Sequence, residues 1–307
     1  MFDDGAAGAD KVALVLARCL GYLIRELPAE ANGVVANEVV ACNADFEKMK
    51  SLSQLYIDHL IRLFRRSKGR TPAPSEHPSR PSFEMHSAFF SEAVEPAPMD
   101  HRSAKKCIKL HVHGTGRLTE VQFAPKPSPR TCTHYCHIFP PSTNWSFDLD
   151  DPAEKKKKYA GNVWTIIENF RCIVVLSELD GAKIHHLGNG FTMNEELHSM
   201  FDDLSLWFEE VANNTYRVRA LDPGVGLLTI LPPHRTITFT STDPHLPLPN
   251  PEYLRLHAAV CRIAHLSGVA SYLDLEDREV ERSGVLARDG SSADLLASRL
   301  RCVALVA

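Results

Sequence analysis

The segment 188–202 constrains the fold more than any other part of the chain, because a turn, an extended stretch and a helix follow one another there without a break. Gly188 and Gly190 flank a single asparagine and predict the turn. Asn194 and two glutamates then give a polar first helical turn, where the helix dipole favours acids. The apolar stripe of the predicted helix consists of Leu197, Met200, Phe201 and Leu204.

His198 and Asp202 lie four residues apart in this predicted helix, on a face beside the apolar stripe. An imidazole and a carboxylate at this spacing can bind one divalent cation, and the hard metals used for phosphate chemistry accept both ligands. The pair is therefore a candidate metal site.

His137 is the second candidate functional residue. Phe139, Pro140 and Pro141 follow it closely, and proline ends a helix or a central strand because it fixes φ and has no N–H to donate. The histidine is thus predicted at the end of an element, before an apolar turn. An unperturbed imidazole has a pKa of about 6.5, so small environmental effects set its protonation near neutral pH, as a general base requires.

Three stretches of the chain, 136–140, 187–193 and 197–202, resemble the signature pieces of HNH endonuclease domains, in the variety common among fungal proteins of unassigned role. Further similar stretches are 70–75, 77–81, 159–166 and 289–296. The resemblance therefore extends over the chain from roughly residue 55 onward.

This resemblance implies a small ββα-metal core, with each functional residue in a stated role. His137 would be the general base that deprotonates water for attack on a DNA phosphodiester. Asn189 would orient that imidazole through a hydrogen bond. His198 would bind a divalent cation that stabilises negative charge on the phosphate oxygens and the leaving group, and the helix spacing adds Asp202 as a second ligand. Magnesium or manganese is the expected ion, with zinc as the alternative.

Cys136 stands where many HNH domains have an acidic or histidine metal ligand, and a neutral thiol binds magnesium poorly. The turn 113–116 replaces the Cys-x-x-Thr-Gly turn that usually opens related sequences. These departures favour an alternative to the enzyme, a degenerate HNH fold that binds nucleic acid or protein. A third hypothesis is a helical interaction protein whose histidines fill a core.

A structural zinc site is a separate hypothesis for the segment 132–137. Cys132 and Cys136 lie beside His134 and His137, which offers soft ligands. The second cysteine pair that such a site usually has is absent from the neighbouring sequence.

We predict an α+β fold with an HNH-like ββα-metal core, flanking helices and an antiparallel hairpin. The predicted division is 1–67 for an N-terminal helical region, 68–100 for a Pro/Ser-rich connector, 101–245 for the nuclease core with a helical insertion, and 246–307 for C-terminal helices packed on the core. Predicted helices are 10–27, 51–66, 85–94, 152–170, 252–266 and 291–303. Predicted strands are 104–110 with 118–123, 204–211 with 215–220, and 236–240.

The net charge of -4 indicates that contact with DNA, the expected partner, depends on a local basic surface. The strongest basic run is Lys155, Lys156, Lys157 and Lys158, at the start of a predicted helix. These lysines are the candidate nucleic-acid-binding residues, although such a run is often only a solvated face.

The eight cysteines have no framework spacing, and the first residues do not resemble a secretory leader. We therefore expect an intracellular protein, cytoplasmic or nuclear, with reduced thiols. No apolar run approaches the ~18 residues that a membrane span requires, so no membrane partner is expected. Nor does the sequence indicate a small organic cofactor or an oligomeric state.

Overall fold

A computed structural model describes residues 4–65, 78, 82–93, 133–141, 152–221, 235–241 and 246–283. The α-helices of these residues are α1 (Asp4–Glu26), α2 (Ala29–Ala41), α3 (Phe46–Tyr56), α4 (Arg62–Phe64), α5 (Ser82–Ala93), α6 (Pro152–Asn169), α7 (Val175–Glu178), α8 (Glu195–Asp202), α9 (Pro251–Ser267) and α10 (Val269–Ser283). A π-helical turn, Ile57–Ile61, joins α3 to α4. Two 3-10 turns, Gly181–His185 and Leu187–Asn189, lead into a strand. The strands are β1 (Thr133–His137), β2 (Gly190–Asn194), β3 (Leu206–Ala212), β4 (Thr215–Ala220) and β5 (Thr236–Thr238).

Local capping sets several helix ends. The carboxylate of Asp45 accepts hydrogen bonds from the backbone N–H groups of Glu47 and Lys48, which starts α3. Asn250 caps α9 in the same way, and proline takes the first helical position. Gly268 ends α9 with a φ of 87°, a left-handed conformation that glycine adopts without steric cost.

The strands form two antiparallel sheets. β1 pairs with β2, whereas β3, β4 and β5 lie side by side in that order. On β4, the buried side chains of Tyr216 and Val218 alternate with the exposed side chains of Arg217 and Arg219. This period of two shows that one face of the larger sheet packs on the core.

Phe139 fixes the turn after β1 within the core. Its side chain is fully buried, and its ring centroid lies 5.0 Å from that of Phe64, 5.1 Å from Tyr253 and 6.2 Å from Trp164. These partners belong to α4, α9 and α6, so helices distant in sequence hold the chain where β1 ends. The position of the residues just before the turn is thereby set by tertiary packing.

The α+β prediction is confirmed, since the described residues form helices and two small antiparallel sheets. The predicted helices 10–27, 152–170 and 252–266 correspond to α1, α6 and α9, and the predicted hairpin corresponds to β3 and β4. The helices α2, α7 and α10 were not predicted. The hairpin expected at 104–110 and 118–123 and the helix expected at 291–303 lie outside the described residues.

The helix predicted at 85–94, within the predicted connector 68–100, corresponds to α5. Its Phe83 and Phe90 are buried, and the helix packs against α6. Within the described part of the chain, no helix is both long and apolar enough to cross a bilayer.

Candidate metal centre

The candidate site is built on β1, β2 and α8. In the antiparallel pairing, Cys136 lies opposite Phe191 and His137 lies opposite Gly190. A Cβ atom at Gly190 would lie 2.4 Å from the carbonyl oxygen of Cys136, so only glycine allows the two strands to approach in this way. Helix α8 follows β2 directly and packs on both strands.

Three side chains of this unit converge on one point. One ligand atom from each of Cys136, His198 and Asp202 lies within 4.8 Å of the other two. Nε2 of His198 is 3.4 Å from Oδ2 of Asp202, as the four-residue spacing on a helix predicts. The thiol is fully buried, whereas the imidazole and carboxylate are partly exposed at 26% and 29%. The cluster is therefore closed to solvent at Cys136 and accessible to solvent at His198 and Asp202.

The electrostatic environment keeps the Cys136 thiol neutral in the absence of a cation. Burial raises the pKa of this thiol well above its usual value, and the negative charge of Asp202 raises it further. A bound metal ion reverses this effect, because it stabilises the thiolate and releases the proton.

The donor set of the cluster fits some ions better than others. A thiolate, an imidazole and a carboxylate are all ordinary zinc ligands, and three protein ligands leave one tetrahedral position open. Magnesium prefers oxygen ligands and is poorly matched to the sulfur. Zinc, the alternative at the sequence level, is therefore a better match than magnesium to the residues present.

His137 lies on the other side of β1 from this cluster. Successive side chains of a strand point to opposite faces, and Cys136 occupies the face next to α8. Nε2 of His137 is 3.0 Å from Nδ1 of His185, and its ring packs edge-on against the ring of Tyr135 at a centroid distance of 4.7 Å. His137 and His198, which were predicted to form one site, therefore belong to two neighbouring side-chain clusters and not to one set of metal ligands.

Asn189 does not hold the imidazole of His137, contrary to the role implied by the resemblance. Its fully buried amide accepts a hydrogen bond from the backbone N–H of Phe139 at 2.8 Å. Its two amide hydrogens go to the carbonyl oxygens of Phe139 and Ile184, at 3.0 and 2.7 Å. Because both donors are used on the backbone, the amide ties the turn after β1 to the 3-10 segment before β2.

Replacing Asn189 with alanine is expected to lower the free energy of unfolding by about 3 kcal/mol or more. The change leaves two carbonyls and one N–H buried without this partner, and each such group costs about 1–3 kcal/mol. Urea unfolding measures the loss. Asn250→Ala, which removes a helix cap and a side-chain hydrogen bond with Tyr253, is the control and should cost about 1 kcal/mol. Equal losses in the two variants would contradict the role given to the Asn189 amide.

Other residues singled out from the sequence lie in or near α6 and β1. Lys155, Lys156, Lys157 and Lys158 all fall within α6, where the side chain of Lys157 is partly buried and that of Lys158 is exposed. The side chains of Lys155 and Lys156 lie outside the described set, and DNA contact by this run stays a prediction. Cys132, of the structural zinc hypothesis, also lies outside it.

The structure gives Cys136 and His185 contacts that were not predicted from the sequence. Cys136 joins His198 and Asp202, although in the sequence it appeared only as a departure from the family pattern. His185 contacts His137 directly, yet the helices α6 and α7 lie between the two residues in the sequence. The only sequence signal for His185 was its place shortly before Asn189.

No family model, no curated protein and no solved structure matches this chain. The geometry of the site must therefore carry the functional argument.

Proposed function

We propose that this protein is a metal-dependent hydrolase of DNA phosphodiester bonds, with an HNH-like ββα-metal centre formed by β1, β2 and α8. The observation that carries the proposal is the convergence of Cys136, His198 and Asp202 from a strand and the helix that packs on it. The resemblance to HNH endonucleases implies a strand–strand–helix unit with His198 as a metal ligand and His137 as the base, whereas Cys136 departs from the family pattern and Asp202 is assigned from its spacing on the helix.

Cys136, His198 and Asp202 would hold a zinc-class ion. When bound, such an ion supplies positive charge that stabilises the phosphate oxygens and the departing oxygen in the transition state. The buried thiol fixes one side of the site, and the partly exposed His198 and Asp202 border the side that solvent reaches.

His137 would act as the general base. Its imidazole accepts a proton from water as the water oxygen forms its bond to phosphorus and the bond from phosphorus to the leaving oxygen breaks. The ring is only partly buried, so water reaches it. Because Cys136 and His137 occupy opposite faces of β1, the proposal requires the substrate to cross the end of the strand, where His137 is the last residue.

The experiment that tests this function is nicking of supercoiled plasmid DNA by the purified protein. We expect zinc to support nicking, magnesium and manganese to support it less well, and a chelator to abolish it, because the donor set includes a thiol and both of those ions prefer oxygen ligands. Protein that binds zinc stoichiometrically and yet leaves the plasmid intact with every ion would refute the enzyme assignment.

A second candidate is a catalytically degenerate HNH fold that binds nucleic acid or protein. The placement of His137 against His185, on the face away from the metal ligands, favours this candidate. A binding module would retard DNA in a gel-shift assay without cutting it, which separates it from the hydrolase in the same set of samples.

A further inference from the structure

We propose that His185 is the positioning residue for His137, fixing both the direction and the tautomer of its imidazole. The inference rests on the proposed function, in which His137 acts as the base. It assigns to His185 the task that the family pattern assigns to the asparagine, here Asn189.

The contact between the two rings is direct. Nε2 of His137 lies 3.0 Å from Nδ1 of His185, within hydrogen-bond distance, and the ring planes are inclined at 66°. A nitrogen–nitrogen contact of this length requires that one ring donates and the other accepts, because two acceptors or two donors would repel.

His185 is itself held firmly. It is the last residue of the 3-10 turn Gly181–His185 and is only 4% exposed. The carbonyl before it, on Ile184, accepts a hydrogen bond from the amide of Asn189. The carbonyl after it, on His186, accepts hydrogen bonds from the phenol of Tyr135 at 3.2 Å and from the backbone N–H of Asn189 at 2.9 Å. Hydrogen bonds to Asn189 and Tyr135 therefore fix the backbone on both sides of His185.

The same groups restrict His137. Tyr135, two residues earlier on the same face of β1, packs its ring edge-on against the imidazole. Asn189 ties the backbone at Phe139, two residues after His137, to the segment that carries His185. Asn189 therefore sets the distance between the two segments, and His185 makes the contact with the imidazole itself.

The proposed role of His137 sets the direction of the hydrogen bond. A base that takes its proton at Nδ1 must carry its resting proton at Nε2, and this N–H then donates to Nδ1 of His185. The arrangement resembles the orientation of a histidine by a buried acceptor in hydrolytic sites, with a neutral imidazole in place of a carboxylate.

The test compares His185→Leu, His185→Gln and the control His265→Leu, in full-length protein loaded with zinc. Leucine removes the acceptor, whereas glutamine retains an oxygen acceptor. His265 is a partly buried histidine of α9 whose Nε2 lies 2.9 Å from the Leu204 carbonyl, so its loss controls for removing a histidine contact elsewhere. Zinc stoichiometry checks that each variant keeps the metal centre.

Nitrogen-15 NMR of the histidine side chains gives the readout that does not depend on activity. In the unaltered protein, His137 should be protonated at Nε2 with a slowly exchanging proton, and in His185→Leu it should become a mixture of tautomers. His185→Gln should restore the single tautomer. A His137 ring protonated at Nδ1, or one that His185→Leu leaves unchanged, would overturn the inference.

Nicking kinetics give the second readout. His185→Leu should lower kcat by roughly 10–100-fold with little change in KM, less than the ~10²–10⁴-fold that general base catalysis contributes, because the base is misplaced and not removed. His185→Gln should recover most of the loss, and His265→Leu should match the unaltered protein. If the unaltered protein does not nick DNA, the proposed function fails, and the NMR result still decides whether His185 positions His137. Nicking with an unchanged kcat in His185→Leu would overturn the inference alone.

Discussion

Replacing His137 with alanine is expected to lower the rate of plasmid nicking by about 10²–10⁴-fold, the range that general base catalysis contributes. Alanine removes the imidazole that takes the proton from water but leaves Cys136, His198 and Asp202 in place. The rate, measured with zinc at saturating plasmid, should fall while the zinc content stays the same. A lower nicking rate at unchanged zinc content therefore distinguishes loss of the base from loss of the metal.

The matched control for this variant is His86→Ala, which removes an exposed histidine of α5. This variant should nick at the rate of the unaltered protein. Circular dichroism and thermal unfolding check that His137→Ala remains folded, because the ring also contacts Tyr135 and His185. A folded, zinc-loaded His137→Ala protein that cuts at the normal rate would show that this residue is not the base.

Replacing His198 with alanine is expected to weaken zinc binding by more than about 100-fold. Loss of a residue that only supports a metal ligand costs 10–100-fold, and His198 is expected to be a ligand itself. Thermal unfolding offers a sensitive measurement, since zinc at 1,000 times its dissociation constant stabilises a folded protein by about 4 kcal/mol. The unaltered protein should gain this stability on addition of zinc, and His198→Ala should gain less than about 1.4 kcal/mol at the same zinc concentration.

Asp202→Asn and His86→Ala provide the comparison for the zinc measurement. The amide keeps the shape of the carboxylate but removes its charge, so we expect an intermediate loss of zinc affinity. His86→Ala should bind zinc as the unaltered protein does. Zinc stabilisation that survives unchanged in His198→Ala would place the metal somewhere other than this cluster.

Parts of this arrangement were readable from local sequence patterns. The helix α8 has an apolar stripe at helical spacing, and Phe201 from that stripe is buried against His257, at a ring distance of 3.7 Å. The four-residue spacing of His198 and Asp202 is likewise local, and the structure places their side chains together. Both follow from helix geometry alone.

Two of the helices that were not predicted, α2 and α10, were missed for different physical reasons. The sequence of α2 mixes four valines and a glycine with alanines, so it lacks both a strong apolar stripe and high intrinsic helix propensity. Burial of Ala31 and Val35 shows that tertiary packing supports it. The helix α10 begins immediately after the left-handed Gly268, where a glycine signal suggested the end of helical structure.

The connections between segments could not be read from local patterns. β1 and β2 are separated by the whole of α6, and no periodicity indicates which strand pairs with which. The hydrogen-bond partners of the Asn189 amide could not be predicted from the sequence either, because a buried amide can hydrogen-bond to an imidazole ring as well as to a backbone carbonyl. Only the fold brings Phe139 and Ile184 to that amide and leaves His185 beside His137.

The central claim is that Cys136, His198 and Asp202 bind one transition-metal ion. The most direct measurement is a crystal structure of the zinc-loaded protein, with anomalous diffraction data recorded on both sides of the zinc absorption edge. The account predicts one strong anomalous peak, about 2.3 Å from Sγ of Cys136 and about 2.0–2.2 Å from a ring nitrogen of His198 and an oxygen of Asp202. Zinc bound elsewhere, with these three side chains uncoordinated, would contradict it.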